Sequence, residues 1–161
     1  MEKKTYRLEI AEYQSKEELQ AGEFNLLEAA HKAVESSYAP YSKFHVGAAV
    51  LLEDGTVVLG SNQENAAYPS GLCAERVALF SASSQYPNLA VTAIAVTVHS
   101  EKANINEPLP PCGACRQVMS EYEYKGGHDM KVILQGETGK IQIINRADSL
   151  LPLTFNPNHL K

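Results

Sequence analysis

Val91-Thr92-Ala93-Ile94-Ala95-Val96-Thr97-Val98 is a nearly unbroken apolar run, and a cysteine-led helical pattern lies on either side of it. A run of this length without polar alternation reads as a central strand buried on both faces. Before it, Cys73-Ala74-Glu75-Arg76 opens a helix that offers Val77, Leu79 and Phe80 as apolar surface. After it, the polar loop from His99 to Leu109 leads to Pro110-Pro111-Cys112-Gly113-Ala114-Cys115-Arg116, where a further helix begins near Cys112. That helix turns Val118 and Met119 inward and closes at Lys125-Gly126-Gly127. A helix crossing over between two strands predicts that the central strand pairs in parallel with the strand before it.

Toward the N-terminus, His45 to Leu52 and Val57 to Gly60 flank Asp54-Gly55 and read as two antiparallel strands around a tight hairpin. An Asn-rich loop from Ser61 to Leu72, punctuated by Pro69 and Gly71, delivers the chain to Cys73. Leu26, Leu27, Ala30, Ala33 and Val34 recur at helical spacing as far as Ser36, and Pro40 in Tyr38-Ala39-Pro40-Tyr41 ends that helix. Ser15-Lys16-Glu17-Glu18 has the form of a capping box opening a helix that Gly22 interrupts, and Lys16 to Glu23 reads as a solvated face. Tyr6, Leu8 and Ile10 alternate with polar residues and suggest a short strand. Toward the C-terminus, Val132-Ile133-Leu134 and Ile141-Gln142-Ile143-Ile144 are strands about a turn at Gly136 to Gly139, followed by a short helix around Asp148 to Leu151. Strands interleaved with helices give an α/β three-layer α/β/α sandwich around a mixed, roughly five-stranded sheet. Residues 1–24 form an extension packing on the core of 25–161.

The 161 residues, 44% hydrophobic and 20% charged, suffice for one core and one domain. A net charge of -5 and a pI near 5.5 leave no basic field for a phosphate backbone, which speaks against a nucleic-acid partner and favours a small neutral one. No run approaches membrane-spanning length, and Met1-Glu2-Lys3-Lys4 leads into no signal-peptide apolar region, so a cytoplasmic location is expected. No repeat or low-complexity segment is present.

Three cysteines cannot all pair within one chain, and in a reducing compartment their default use is metal or catalysis. Each cysteine motif opens a helix, where backbone N–H groups and the macrodipole favour thiolate. The spacing of Cys112 and Cys115 lets both reach one ion from a single turn, with Cys73 supplied by another helix. Three thiolates are one ligand short of a closed tetrahedral zinc site, which leaves the position that hydrolysis needs. Glu75, two residues from Cys73, is placed to move protons rather than bind metal, in the pattern of a zinc deaminase. Arg76 is close enough to donate hydrogen bonds to the ligand sulfurs and offset their charge; Arg116 is either a second such donor or a solvated surface residue. The alternatives are a redox Cys112–Cys115 pair with Cys73 as a buried apolar residue, or a structural zinc closed by a fourth protein ligand. His31, His45, His99, His128 and His159 lack metal spacing relative to the cysteines and are assigned no role.

Together with the two cysteine motifs, Tyr41-Ser42-Lys43-Phe44-His45-Val46-Gly47-Ala48-Ala49, Asn62-Gln63-Glu64-Asn65-Ala66-Ala67-Tyr68 and Leu150-Leu151-Pro152-Leu153-Thr154-Phe155 closely resemble the small zinc-dependent cytidine deaminases. The resemblance covers roughly residues 25 to 160; Ser61 and Gln63 depart from it, standing where many members carry Cys and an apolar residue. It implies one zinc per subunit on Cys73, Cys112 and Cys115, Glu75 as proton shuttle, and Arg76 on the sulfurs. It further implies that Asn62 and Glu64 hold the ribose 3′-hydroxyl, that Phe44 stacks on the base and that Ala74 presents backbone groups to the pyrimidine oxygen. Tyr68 joins the substrate site. Phe155 then enters the site of an adjacent subunit in a homotetramer with shared active sites. The activity implied is hydrolysis of free cytidine and deoxycytidine to uridine and deoxyuridine with release of ammonia, in pyrimidine salvage. A deaminase for a modified cytosine nucleoside, such as a nucleoside antibiotic, stays open. A deaminase for a base within RNA or DNA would need a basic groove that this composition lacks.

Overall fold

The computed structural model describes all residues from Met1 to Lys161. Six strands form one mixed sheet in the order β1-β6-β5-β4-β2-β3: β1 is Ala11–Tyr13, β2 Phe44–Leu52, β3 Val57–Ser61, β4 Val91–Ser100, β5 Lys131–Gln135 and β6 Ile141–Ile144. Helix α1 (Ala21–Ala33) covers one face; α2 (Ala74–Gln85) and α3 (Gly113–Gly126) cover the other. This is the three-layer sandwich expected, with a sixth strand.

Strand alternation explains the continuous apolar runs. On β2, Ala48 and Val50 face α2 and α3, packing with Ala78, Leu79, Cys115 and Met119, while Ala49 faces α1 with Leu26, Leu27 and Ala30. β4 splits the same way, with Ile94 and Val96 on one side and Ala93 and Ala95 on the other. Its pairing departs from expectation. β4 lies antiparallel to β2 and parallel to β5, so α3 carries the parallel crossover. β4 runs in the same direction as β3 but is separated from it by β2, because the β2–β3 hairpin folds outward and leaves β2 to pair with β4.

Four local readings change. Tyr6, Leu8 and Ile10 are exposed and outside any strand; β1 begins at Ala11 because its register with Ile143 to Ile141 of β6 turns Tyr13 onto the α1 core. The Ser15 capping box forms, yet it opens a single 3-10 turn, Lys16–Glu18, since Leu19 is extended. Gly22 sits in the first turn of α1, where it interrupts nothing. On α2, Phe80 is exposed and Ala74, Ala78, Leu79 and Ala82 make the buried face.

Close approach fixes the seat of α2. A Cβ on Gly60 of β3 would lie 2.3 Å from Ala78 N and 2.7 Å from Ala74 O, so the helix backbone rests directly on the strand.

Candidate active site

Cys73 and Cys112 are the residues that cap α2 and α3 at their N-termini, both with extended backbone, and Cys115 is buried in the first turn of α3. The sulfurs of Cys73 and Cys112 are 3.8 Å apart, those of Cys112 and Cys115 3.5 Å, and all three lie within 4.8 Å of one another. Tetrahedral sulfurs about 2.3 Å from a zinc ion sit about 3.8 Å from each other, so the triangle has the size and the soft donors that zinc requires. The cluster of possible ligands comprises these three sulfurs.

One charge is already in place. Cys73 is pulled down to about 5 by the hydrogen bond from Cys115, then by Arg76 and Cys112, against the cost of burial. Cys115 is pushed far up in turn, because its proton is shared with the Cys73 sulfur and because it is buried. A divalent cation would displace the remaining thiol protons. Arg76 Nη2 donates to Cys73 Sγ at 3.6 Å, and its buried Nε has no partner. Burial raises the Glu75 carboxyl above the usual carboxylate range; the Cys73 charge adds to this, and backbone N–H bonding at the start of α2 opposes it.

These groups open onto a cavity of about 720 Å³, lined in addition by Phe44, Asn62, Glu64, Tyr68 and Ala74. Lys43 holds left-handed backbone (φ 62) and turns the chain so that Phe44 starts β2 at the cavity wall. Asn62 does more than its sequence position suggests: Oδ1 accepts from Val46 N and Nδ2 donates to Phe44 O, both at 2.8 Å, strapping the loop to β2. Gln63 pairs its backbone with Leu72, and Asn62 and Glu64 pair theirs with Tyr38, so the loop before Cys73 is hydrogen-bonded on both sides. One oxygen of Glu64 accepts from Tyr41 N and Ser42 N, and the Ser42 side chain together with these backbone bonds holds its carboxyl below the usual carboxylate range. Tyr68 is exposed at the rim, edge-on to Tyr41 at 6.1 Å between centroids.

Two residues of the sequence reading lie outside this cavity. Phe155 is exposed on the C-terminal tail and does not line its own chain's cavity. Arg116 is neither a sulfur donor nor a free surface group: Nε donates to Pro111 O at 2.8 Å and Nη1 to Leu150 O at 3.1 Å. The signal for this lay in tertiary contacts with a distant segment, which no local pattern carries.

The sequence model of the cytidine and deoxycytidylate deaminase zinc-binding region matches residues 22–126. A cytidine deaminase of Halalkalibacterium halodurans is 48% identical over 130 residues, covering 81% of this chain and 91% of its own. One from Sporosarcina psychrophila is 43% identical over 135 residues, covering 84% and 92% respectively. The crystal structure of cytidine deaminase from Burkholderia pseudomallei superposes with a TM-score of 0.70 at 43% identity, covering 81% of this chain and 97% of that one.

Proposed function

This chain belongs to the cytidine and deoxycytidylate deaminase family, and we propose on that premise that it hydrolyses free cytidine and deoxycytidine to uridine and deoxyuridine, releasing ammonia. The observation that carries the reading is the Cys73–Cys112–Cys115 triangle with a buried carboxyl group two residues from its first member, at the wall of an open cavity. Zinc, which the three sulfurs would hold, would supply the Lewis acidity that brings the pKa of water down toward about 7.

The chain's own groups do the rest. Glu75 takes the proton of the water that attacks C4 and delivers it to N3, which leaves a tetrahedral C4. It then passes the second proton to the 4-amino group; the C–N bond breaks with its electron pair on nitrogen, ammonia leaves and C4 becomes a carbonyl. A carboxyl raised by burial suits this exchange near neutral pH. Arg76 and the two helix N-termini offset the charge of three thiolates, which would otherwise blunt the metal.

Substrate selection follows from what lines the cavity. Its one cationic side chain, Arg76, is engaged with Cys73, and its acids are Glu64 and Glu75, so nothing there receives a phosphate. The substrate is a nucleoside and not a nucleotide. Phe44 stacks on the base, backbone at Ala74 meets the pyrimidine oxygen, and Glu64, with its second oxygen, takes the ribose hydroxyl beside Asn62; Tyr68 closes the rim. Phe155 completes the site of a neighbouring subunit in a homotetramer, a reading supported by the exposure of Leu153, Phe155 and Leu160 on one tail. No helix is long and apolar enough to cross a membrane. Residues 1–24 serve as an extension of the catalytic part. Ammonia release from cytidine, deoxycytidine, adenosine and cytidine monophosphate tests the assignment: turnover of the first two alone is expected, and preference for the monophosphate or for adenosine would overturn it.

A further inference from the structure

We propose that Arg116 and Gln117, which the chemistry above leaves unused, are positioning residues that latch the C-terminal tail to the first turn of α3 and so set where Phe155 is presented. The planar guanidinium of Arg116 bridges the carbonyl of Pro111, next to the ligand Cys112, and that of Leu150, where the tail departs. Gln117 Nε2 donates to Phe155 O at 2.7 Å. Every other hydrogen bond of residues 151–161 has its partner within 148–161: Leu151 N to Asp148 O, Thr154 Oγ1 to Leu151 O, and the local bonds of Asn156, Asn158, His159 and Lys161. Packing adds little, since Leu153 is 82% and Leu160 76% exposed.

Phe155 stacks on His159 with centroids 5.4 Å apart, so residues 155–159 hold together as a local unit. The unit is carried by the Gln117 bond at one point and by the Arg116 bridge at its root. Both donors stand on the turn that carries Cys115, so the wall residue and the metal ligands share one rigid base. Tail placement is thereby referred to the metal loop.

The proposal rests on the reading that Phe155 contacts substrate in a neighbouring subunit, and two measurements on the zinc-loaded full chain separate them. Chymotryptic cleavage at Leu153 and Phe155, mapped by mass spectrometry, reports how often the tail detaches. Gln117→Ala should speed it by about three- to tenfold, the equilibrium equivalent of one neutral hydrogen bond, with zinc content unchanged. In kinetics, Gln117→Ala should raise KM for cytidine by a similar factor with a smaller change in kcat. Gln117→Arg, which keeps a donor of comparable reach, should restore it. In a Phe155→Ala background the Gln117→Ala change should add nothing further, because the latch acts through that ring. Wild-type cleavage rates in Gln117→Ala overturn the latch whatever Phe155 does. Multiplying effects of the two substitutions on KM overturn the claim that Gln117 works through Phe155. A Phe155→Ala enzyme with wild-type KM overturns the substrate-wall reading, and cleavage then decides the latch alone.

Discussion

Gly60→Ala, a single methyl group on β3, should disable the site from behind. The added Cβ would stand 2.3 Å from Ala78 N, 2.7 Å from Ala74 O and 2.7 Å from Ala78 Cα. Ordinary contact begins near 3.5 Å, so α2 must retreat by about 1 Å, and because the obstructing atoms are helix backbone, no rotamer change relieves the clash. That helix is capped by Cys73 and carries Glu75 and Arg76 in its first turn. Metal–ligand distances tolerate about 0.2 Å, so a shift of this size pulls Cys73 out of a triangle whose other two corners stay on α3. Overpacking adds a stability cost of about 1–3 kcal/mol, equal to a fall in Tm of roughly 2–12 °C for a chain of this length. The assay is zinc content by metal analysis alongside thermal unfolding and ammonia release. We expect folded protein with a lowered Tm, substoichiometric zinc and turnover reduced by at least about 10²-fold. Full zinc with wild-type turnover would refute the argument that strand–helix contact sets the ligand geometry.

Glu75→Gln keeps the side chain's shape but cannot shuttle protons, so turnover should fall by at least about 10²-fold while zinc stays bound; near-normal turnover would sink the mechanism. Glu64→Ala should weaken use of cytidine by roughly 1–3 kcal/mol and abolish discrimination against 3′-deoxycytidine, whereas discrimination equal to wild type would reject the ribose assignment. Glu123, buried in α3, accepts from Met130 N, Ala147 N and Asp148 N; Glu123→Gln sets an amide N–H₂ against one of these donors and should lower stability by about 1–3 kcal/mol, read as denaturant midpoint, with an unchanged midpoint as the contrary result. Mixed Glu75→Gln and Phe155→Ala chains should recover activity that neither has alone, because some sites then combine an intact Glu75 with a neighbour's intact Phe155; a mixture no more active than its parts would defeat the shared site.

What the sequence disclosed was whatever is written in short range. Cys112-x-x-Cys115, the glutamate beside Cys73, the Asp54-Gly55 hairpin and the helix stop at Gly126-Gly127 each follow from local chemistry, and each stands where the pattern placed it. Gly127 even adopts the left-handed cap that such a stop requires. The hidden features depend on partners far along the chain. Nothing near Arg116 announces Leu150, nothing near Glu123 announces Ala147, and nothing in Val91–Val98 says that β2 will lie between it and β3. The N-terminal strand is ambiguous in the sequence for a related reason: Tyr6, Leu8 and Ile10 alternate as well as Ala11 to Tyr13 do, and only the register against β6 selects the latter. Asn62 shows the limit at the site itself, since its residue type suits both a ligand contact and the strap to Phe44 and Val46 that it forms.

The three residues of β1 also govern how the folded chain behaves in a crowded solution. Without them, β6 would offer Ile141-Gln142-Ile143-Ile144 as a bare edge, a short, apolar, β-branched template of the kind that recruits other chains and seeds aggregates. With β1 in place the outermost strand is too brief to extend, and it carries Glu12, paired with Lys140 at 2.9 Å, where an incoming strand would have to dock. The chain thus ends its sheet on a charge.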